Sequence, residues 1–201
     1  MKITIVDYGM GNIYSLQSAL KFLGCDSICS NKSEDIINAD KIILPGVGSF
    51  KQAIYNIRKL KIDKSLEVAI KEKKTPILGI CLGMQLLGIS STEDDFSIGL
   101  NLFQGYVDKF TDQSIKIPHV GFNNVSYPEE SVLYKGINEN SDFYFVHSYK
   151  MHSNEINGVA YCSHGENFVA SFEKGNVFGT QFHPEKSQTN GLSLLKNFIE
   201  C

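Results

Sequence analysis

Cys81 has the setting in this chain that most favours chemistry. It stands in Gly79-Ile80-Cys81-Leu82-Gly83, after the apolar run 76–80 and before Met84-Gln85-Leu86-Leu87. The pattern Gly-x-nucleophile-x-Gly between a buried strand and a helix puts the central side chain on a sharp turn, where the glycines allow close backbone approach. A thiol there faces a helix N-terminus, whose positive end favours the thiolate. The N–H of Leu82 is then free to face a developing oxyanion. The plain alternative is a small buried hydrophobe, the usual state of a free cysteine. Cys25, Cys29, Cys162 and Cys201 lack that strand–helix turn with a glycine two residues to each side and are read that way.

A thiol nucleophile needs a base that can return the proton to the leaving group. Of five histidines, His183 has the best context, in Gln181-Phe182-His183-Pro184-Glu185 at the end of the last apolar run. His183 and Glu185 are two apart in an extended segment, so both side chains can point the same way. A carboxylate at that spacing can bond one ring nitrogen, fix the tautomer and stabilise the imidazolium. Pro184 holds the residue before it extended. An exposed His-Pro-Glu loop is the competing reading, and the Cys81 turn weighs against it. Pro45-Gly46-Val47-Gly48 offers successive backbone N–H groups after another apolar run, as an oxyanion hole requires. It is not a Walker loop, because no Gly-Lys-Ser/Thr follows. Gly9-Met10-Gly11 begins a dinucleotide fingerprint but lacks its third glycine.

The elements that must hold these residues follow from hydrophobic period. Short buried strands are expected at 2–6, 27–29, 41–44 and 76–80, a helix at 13–23, and one or two amphipathic helices over 50–60 and 63–74. Ser33 is expected to cap a short helix containing Ile36 and Ile37. Alternation of strand and helix implies a largely parallel sheet covered on both faces. The second half instead reads as strands at 105–110, 143–150, 158–162, 168–172 and 177–182, with a closing amphipathic helix at 191–200. The expectation is one α/β domain over 1–201, a mostly parallel central sheet with mixed pairing in its later part.

Composition narrows the class. The chain has 201 residues, 42% hydrophobic and 20% charged, with a formal net charge of −3. That suits a globular domain without general attraction to nucleic acid or anionic membrane. Five scattered cysteines, with no Cys-x-x-Cys pair, indicate neither a disulfide framework nor a zinc site. No signal peptide or membrane span is legible, so a cytoplasmic location is expected.

These motifs together resemble the class I (triad) glutamine amidotransferases. Asp7-Tyr8-Gly9-Met10-Gly11-Asn12, Leu44-Pro45-Gly46-Val47-Gly48, Pro118-His119-Val120-Gly121, Phe145-Val146-His147-Ser148-Tyr149 and the stretch 181–187 look like the glutaminase subunits of imidazole glycerol phosphate synthase, over essentially the whole chain and in order. The resemblance implies a flavodoxin-like sheet, no cofactor or metal, and a Cys81–His183–Glu185 triad that forms a glutamyl thioester. It implies Gly48 and the N–H of Leu82 at the oxyanion, and Gln85, Glu93, His147, Ser148 and Tyr149 around the substrate glutamine. It implies a (β/α)8-barrel cyclase partner in a heterodimer, fed with ammonia in histidine biosynthesis, and facing Asn12, His119, Phe122, Asn123 and Lys186. Phe122 stands where many members have Trp, which keeps an apolar plane but loses an indole N–H. A paralogue serving another cyclase-like partner, as in surface-sugar amidination, would carry the same triad. A lone cysteine hydrolase would need neither the second-half motifs nor a docking face. A degenerate binding partner would not need every triad member.

Overall fold

The computed structural model describes residues 1–201. In the first half, strands and helices alternate as β1 (Ile3–Val6), α1 (Ile13–Phe22), β2 (Ser27–Ser30), α2 (Ser33–Ile37), β3 (Lys41–Leu44), α3 (Phe50–Lys59), α4 (Ile62–Glu67), β4 (Ile77–Ile80) and α5 (Leu82–Leu87). The second half runs β5 (Ser90–Ser91), β6 (Ser97–Ile98), β7 (Gly105–Lys109), β8 (His119–Asn124), β9 (Asp142–His147), β10 (Tyr149–Ser153), β11 (Val159–His164), β12 (Glu166–Lys174), β13 (Val177–Thr180) and α6 (Gln188–Glu200).

Seven strands form the main sheet in the order β11-β12-β13-β4-β3-β1-β2. The five from β13 to β2 pair in parallel, while β12 and β11 extend the sheet antiparallel. The order β2-β1-β3-β4-β13 is the flavodoxin-like winding, in which ligands gather beyond the carboxyl ends of the strands. Register makes this concrete. Gly79 of β4 lies opposite both Leu44 of β3 and Gly179 of β13. The segments after these three adjacent strands therefore leave the sheet at one edge, and they carry the Pro45–Gly48 turn, Cys81 and His183.

Parallel strands buried on both faces feed two cores. Val6, Ile42, Leu44 and Ile77 pack with Phe50, Ile54 and Ile57 of α3 and with Met84, Leu86 and Leu87 of α5. The alternate residues Ile5, Ile43, Leu78 and Ile80 pack with Leu16 and Leu20 of α1 and Leu194, Leu195 and Phe198 of α6. Each fully buried aliphatic or aromatic side chain contributes about 1.5–3 kcal/mol, so the active edge rests on a rigid base.

Four local expectations are corrected. Residues 143–150 are not one strand: the chain breaks at Ser148, and β9 pairs with β8 while β10 pairs with β7 in a different sheet. Nothing in the run 143–149 marks the break in advance, because the partners that cause it are distant in sequence. Ser33 does not cap α2. Lys32 occupies that position without a side-chain cap bond, and the Ser33 hydroxyl instead accepts from Ser65 of α4 at 2.9 Å. The helix at 63–74 is α4 continued by a π turn, Val68–Glu72. Strands β5, β6 and β8 were not expected: the first two are only two residues long, and β8 carries a histidine, a glycine and two asparagines, so little apolar alternation marks it.

Candidate active site

Cys81 occupies a backbone conformation that only a built turn enforces, with φ 54° and ψ −112°. Its neighbours explain how the turn closes. A Cβ on Gly83 would overlap the carbonyl oxygen of Leu44, and one on Gly79 would come within 2.7 Å of the backbone of Met84. Helix α5 thus lies directly against β3 and β4, an approach that any larger residue would block. The first bond of the α5 ladder is Gln85 N–H to Cys81 O at 3.2 Å. The N–H of Leu82 sits ahead of it, among the donors a helix start leaves unpaired.

His183 follows β13 in extended conformation, φ −97° and ψ 97°. Its backbone N–H donates to Tyr144 O at 2.9 Å, and its carbonyl accepts the Ser187 hydroxyl at 2.7 Å. Those bonds fix the ring between β9 and the short 3-10 turn Pro184–Lys186. Nδ1 lies 2.8 Å from Glu185 Oε1, with both side chains 3% exposed. Nε2 makes no hydrogen bond of good geometry in the resting site. Burial opposes charge on the imidazole, but the adjoining Cys81 side chain and the Glu185 carboxylate outweigh it and raise its pKa. The ring therefore holds a proton readily, and it shares one cleft with the thiol.

The opposite wall is Pro45-Gly46-Val47-Gly48. Gly48 has φ 99°, a region that disfavours side chains. The Tyr8 hydroxyl donates to Pro45 O at 2.7 Å and anchors the turn. Downstream, Glu93 accepts the N–H of Phe50 at the start of α3 at 2.9 Å, while burial raises its pKa. A cleft of about 410 Å³ joins these parts, lined by Val47, Gly48, Cys81, Leu82, Gln85, Glu93, His147, Ser148, Tyr149 and His183, with Pro118 and Val146. That is within the usual range for small-molecule sites. A larger open hollow of about 1230 Å³ beside residues 123–140 contains none of these residues, and the chemistry-bearing groups place the site in the smaller cleft. Beside the His183–Glu185 pair, Asn12, Leu16, Pro45, Gly46, Val47 and Ile80 border a narrow hollow of about 10 Å³, room for one water-sized molecule.

Two of the expected residues behave differently from a simple lining role. Gln85 is 4% exposed, and its amide donates to Tyr149 O at 3.1 Å and to Gln181 Oε1 at 2.9 Å. Only its carbonyl oxygen remains for a ligand. His119, expected on a docking face, is 4% exposed and turned inward, while its strand neighbours Val120 (56%) and Phe122 (45%) face out. Phe122 packs on Tyr144 with ring centroids 5.5 Å apart, and Lys186 Nζ lies 5.9 Å from the same ring. Sequence reasoning missed Tyr144, Tyr8 and Gln181. Gln181 reaches Cys81 Sγ at 3.8 Å. Its position two residues before His183 in an extended run was the available signal.

Residues 4–201 match the family model "Glutamine amidotransferase class-I", and the chain belongs to that family. Among curated proteins it is similar to the imidazole glycerol phosphate synthase subunit HisH of Methanosarcina acetivorans, with 46% identity over 201 residues, 99% of this chain and 98% of that protein. It is 44% identical over 197 residues, 98% of each chain, to imidazole glycerol phosphate synthase subunit HisH 1 of Campylobacter jejuni. Solved structures agree in fold: PurLQS from Thermotoga maritima superposes with a TM-score of 0.73 at 19% identity, covering 99% of this chain and 97% of that one. A structure described as a glutamine amidotransferase gives 0.72 at 20% identity, covering 98% and 97%.

Proposed function

We propose that this chain, acting as a single glutaminase domain, hydrolyses glutamine and delivers the ammonia to a cyclase subunit making imidazole glycerol phosphate and an aminoimidazole carboxamide ribotide in histidine biosynthesis. The observation that carries the chemistry is the buried His183–Glu185 pair, 2.8 Å apart, beside a cysteine on a strained strand–helix turn. Near-full-length similarity to synthase subunits carries the pathway.

His183 Nε2 holds the proton drawn from Cys81, and the thiolate so formed attacks the side-chain carboxamide carbon of glutamine. The oxyanion that forms is held by the backbone N–H groups of Gly48 and Leu82, each such donor being worth about 10²–10³ in rate. His183 returns the proton to nitrogen, the C–N bond breaks, and ammonia leaves behind a γ-glutamyl thioester. The same ring then deprotonates water, which attacks the thioester and releases glutamate. Glu185 orients the ring and balances its charge through both steps. No cofactor takes part in these steps. Gln85, Glu93, His147, Ser148 and Tyr149 hold the amino-acid end of the substrate.

Free ammonia in water would be protonated and lost, so its acceptor must be docked close by. The (β/α)8-barrel cyclase is placed over Asn12, Phe122, Asn123 and Lys186, with Tyr144 joining Phe122 to Lys186. The water-sized hollow between the triad and Asn12 supports transfer in that direction. No helix is long and apolar enough to cross a membrane, and the five unpaired cysteines suit a reducing cytoplasm. The test is glutaminase turnover by the purified chain, alone and with a ligand-loaded cyclase. Weak activity alone and at least roughly 10²-fold stimulation are expected; full activity that ignores the cyclase would return the chain to the free-standing hydrolases.

A further inference from the structure

A directed chain of hydrogen bonds runs from strand β8 to the nucleophile. Asn123 Nδ2 lies 3.3 Å from His119 Nε2, His119 Nδ1 lies 3.0 Å from His147 Nε2, and His147 Nδ1 lies 2.7 Å from Tyr149 O. Gln85 donates to the same carbonyl and to Gln181, whose amide reaches Cys81 Sγ. The proton positions follow from the chain's inner end. A carbonyl can only accept, so His147 must carry its proton on Nδ1. Its Nε2 is then a lone pair, and His119 Nδ1 must be the donor that meets it. That leaves His119 Nε2 to accept from Asn123, which also donates to Ser163 O at 3.0 Å.

The setting keeps both rings in that state. His119 stacks on Phe145 and on His164, with centroids 4.9 and 4.2 Å away, and β8 pairs His119 directly with His147 on β9. Burial holds both imidazoles neutral, His147 down to about 3 and His119 down to about 4. In water a neutral imidazole is free to put its proton on either nitrogen, so a buried ring needs a partner to choose.

We infer that His119 is a positioning residue for the glutamine pocket: by donating from Nδ1 it fixes His147 as the Nδ1-protonated tautomer and so holds the Tyr149 carbonyl on which Gln85 and the pocket rim depend. The inference rests on the glutaminase reading for its kinetic consequence, but not for its structural one. Without the His119 donor, His147 Nε2 becomes a buried acceptor with no partner. The ring has then lost the bond that holds its far edge and can turn about its side-chain bonds toward another donor, which carries Nδ1 away from Tyr149 O. The pocket rim loosens while the triad stays intact, so substrate binding suffers before chemistry does.

His119→Phe keeps the aromatic stack and removes the donor; His119→Asn keeps a donor close to the position of Nδ1. The structural readout is ¹⁵N–¹H correlation spectroscopy of the imidazoles in the folded chain. Wild type should show protonated-type Nδ1 and bare Nε2 at both His119 and His147, and His119→Phe should change the His147 pattern. The kinetic readout is glutamine hydrolysis by the cyclase complex. His119→Phe should raise KM about tenfold with kcat altered less than about threefold, and His119→Asn should recover most of the loss. An Nε2-protonated His147 in the wild type overturns the inference, as does an unchanged KM in folded His119→Phe. If the wild type fails to hydrolyse glutamine, the glutaminase reading falls and the tautomer spectrum still decides this one. If His119→Phe does not fold, the wild-type spectrum and the asparagine variant decide it.

Discussion

Gly46→Ala probes whether the wall opposite Cys81 is held as tightly as its geometry implies. A Cβ at this position would overlap the Tyr8 hydroxyl and lie 2.9 Å from both Gly83 N and Leu82 Cβ. None of these can yield cheaply. Tyr8 is 2% exposed and bonded to Pro45, and the other two atoms belong to the first turn of α5. Overpacking of this kind costs about 1–3 kcal/mol, and displacing the Tyr8 hydroxyl from Pro45 O adds about 1 kcal/mol. We expect a loss of about 2–4 kcal/mol in urea unfolding, and about 10²-fold in stimulated glutaminase if the turn backs away by about 1 Å. Tyr8→Phe vacates the hydroxyl's space. The double variant should therefore be more stable than the sum of the single losses by at least about 1 kcal/mol. Additivity within about 0.5 kcal/mol would refute the argument, since it would mean that the methyl group is accommodated elsewhere.

Cys81→Ala should lower glutamine hydrolysis by roughly 10⁴ or more and leave the fold intact, and ammonia supplied from outside should restore the cyclase reaction; persistence of hydrolysis would end the nucleophile assignment. A glutamine-analogue alkylator should label Cys81 alone, whereas a general thiol reagent should also find the exposed Cys29 and Cys201, a contrast readable by mass spectrometry. His183→Ala should be nearly as damaging as loss of Cys81, while Glu185→Gln, which keeps a hydrogen bond but not the charge, should cost about 10–10² in kcat; equal damage from both would make Glu185 more than an orienter. The raised pKa of His183 sets a pH dependence with a definite sign. Its contribution to stability is complete below the unfolded value of about 6.5 and is lost as pH rises through the folded value. Unfolding free energies at about pH 6 and about pH 9 should therefore fall more for wild type than for His183→Gln.

Much of the site was legible because its parts are local in sequence. The Gly79–Gly83 turn advertises itself through glycines whose hydrogens touch Met84 and Leu44, and His183–Glu185 through a spacing of two in extended chain. What stayed hidden depends on distant partners. The spacing of Gln181 from His183 brings it near the site, but it does not announce the bridge to Gln85 and Cys81, 96 and 100 residues away. The inward turn of His119 is set by pairing with β9, and a mainly polar strand could have faced either way. The break at Ser148 likewise comes from two different sheets claiming the flanking strands, which period alone does not record.

The turn at Cys81 also bears on how such a gene can age. A non-glycine residue at φ 54° and ψ −112° carries on the order of 1–3 kcal/mol of backbone strain, retained only while the thiol is needed at that spot. A duplicated copy released from cleaving glutamine is under no such demand. Glycine relieves the strain, even after about 0.5–1 kcal/mol of added chain entropy, whereas alanine relieves none of it. Cys81→Gly should accordingly unfold at a higher temperature than Cys81→Ala. In descendants that have become pure docking partners, glycine is the residue toward which this position should drift, a mark of retirement left by stability and not by chemistry.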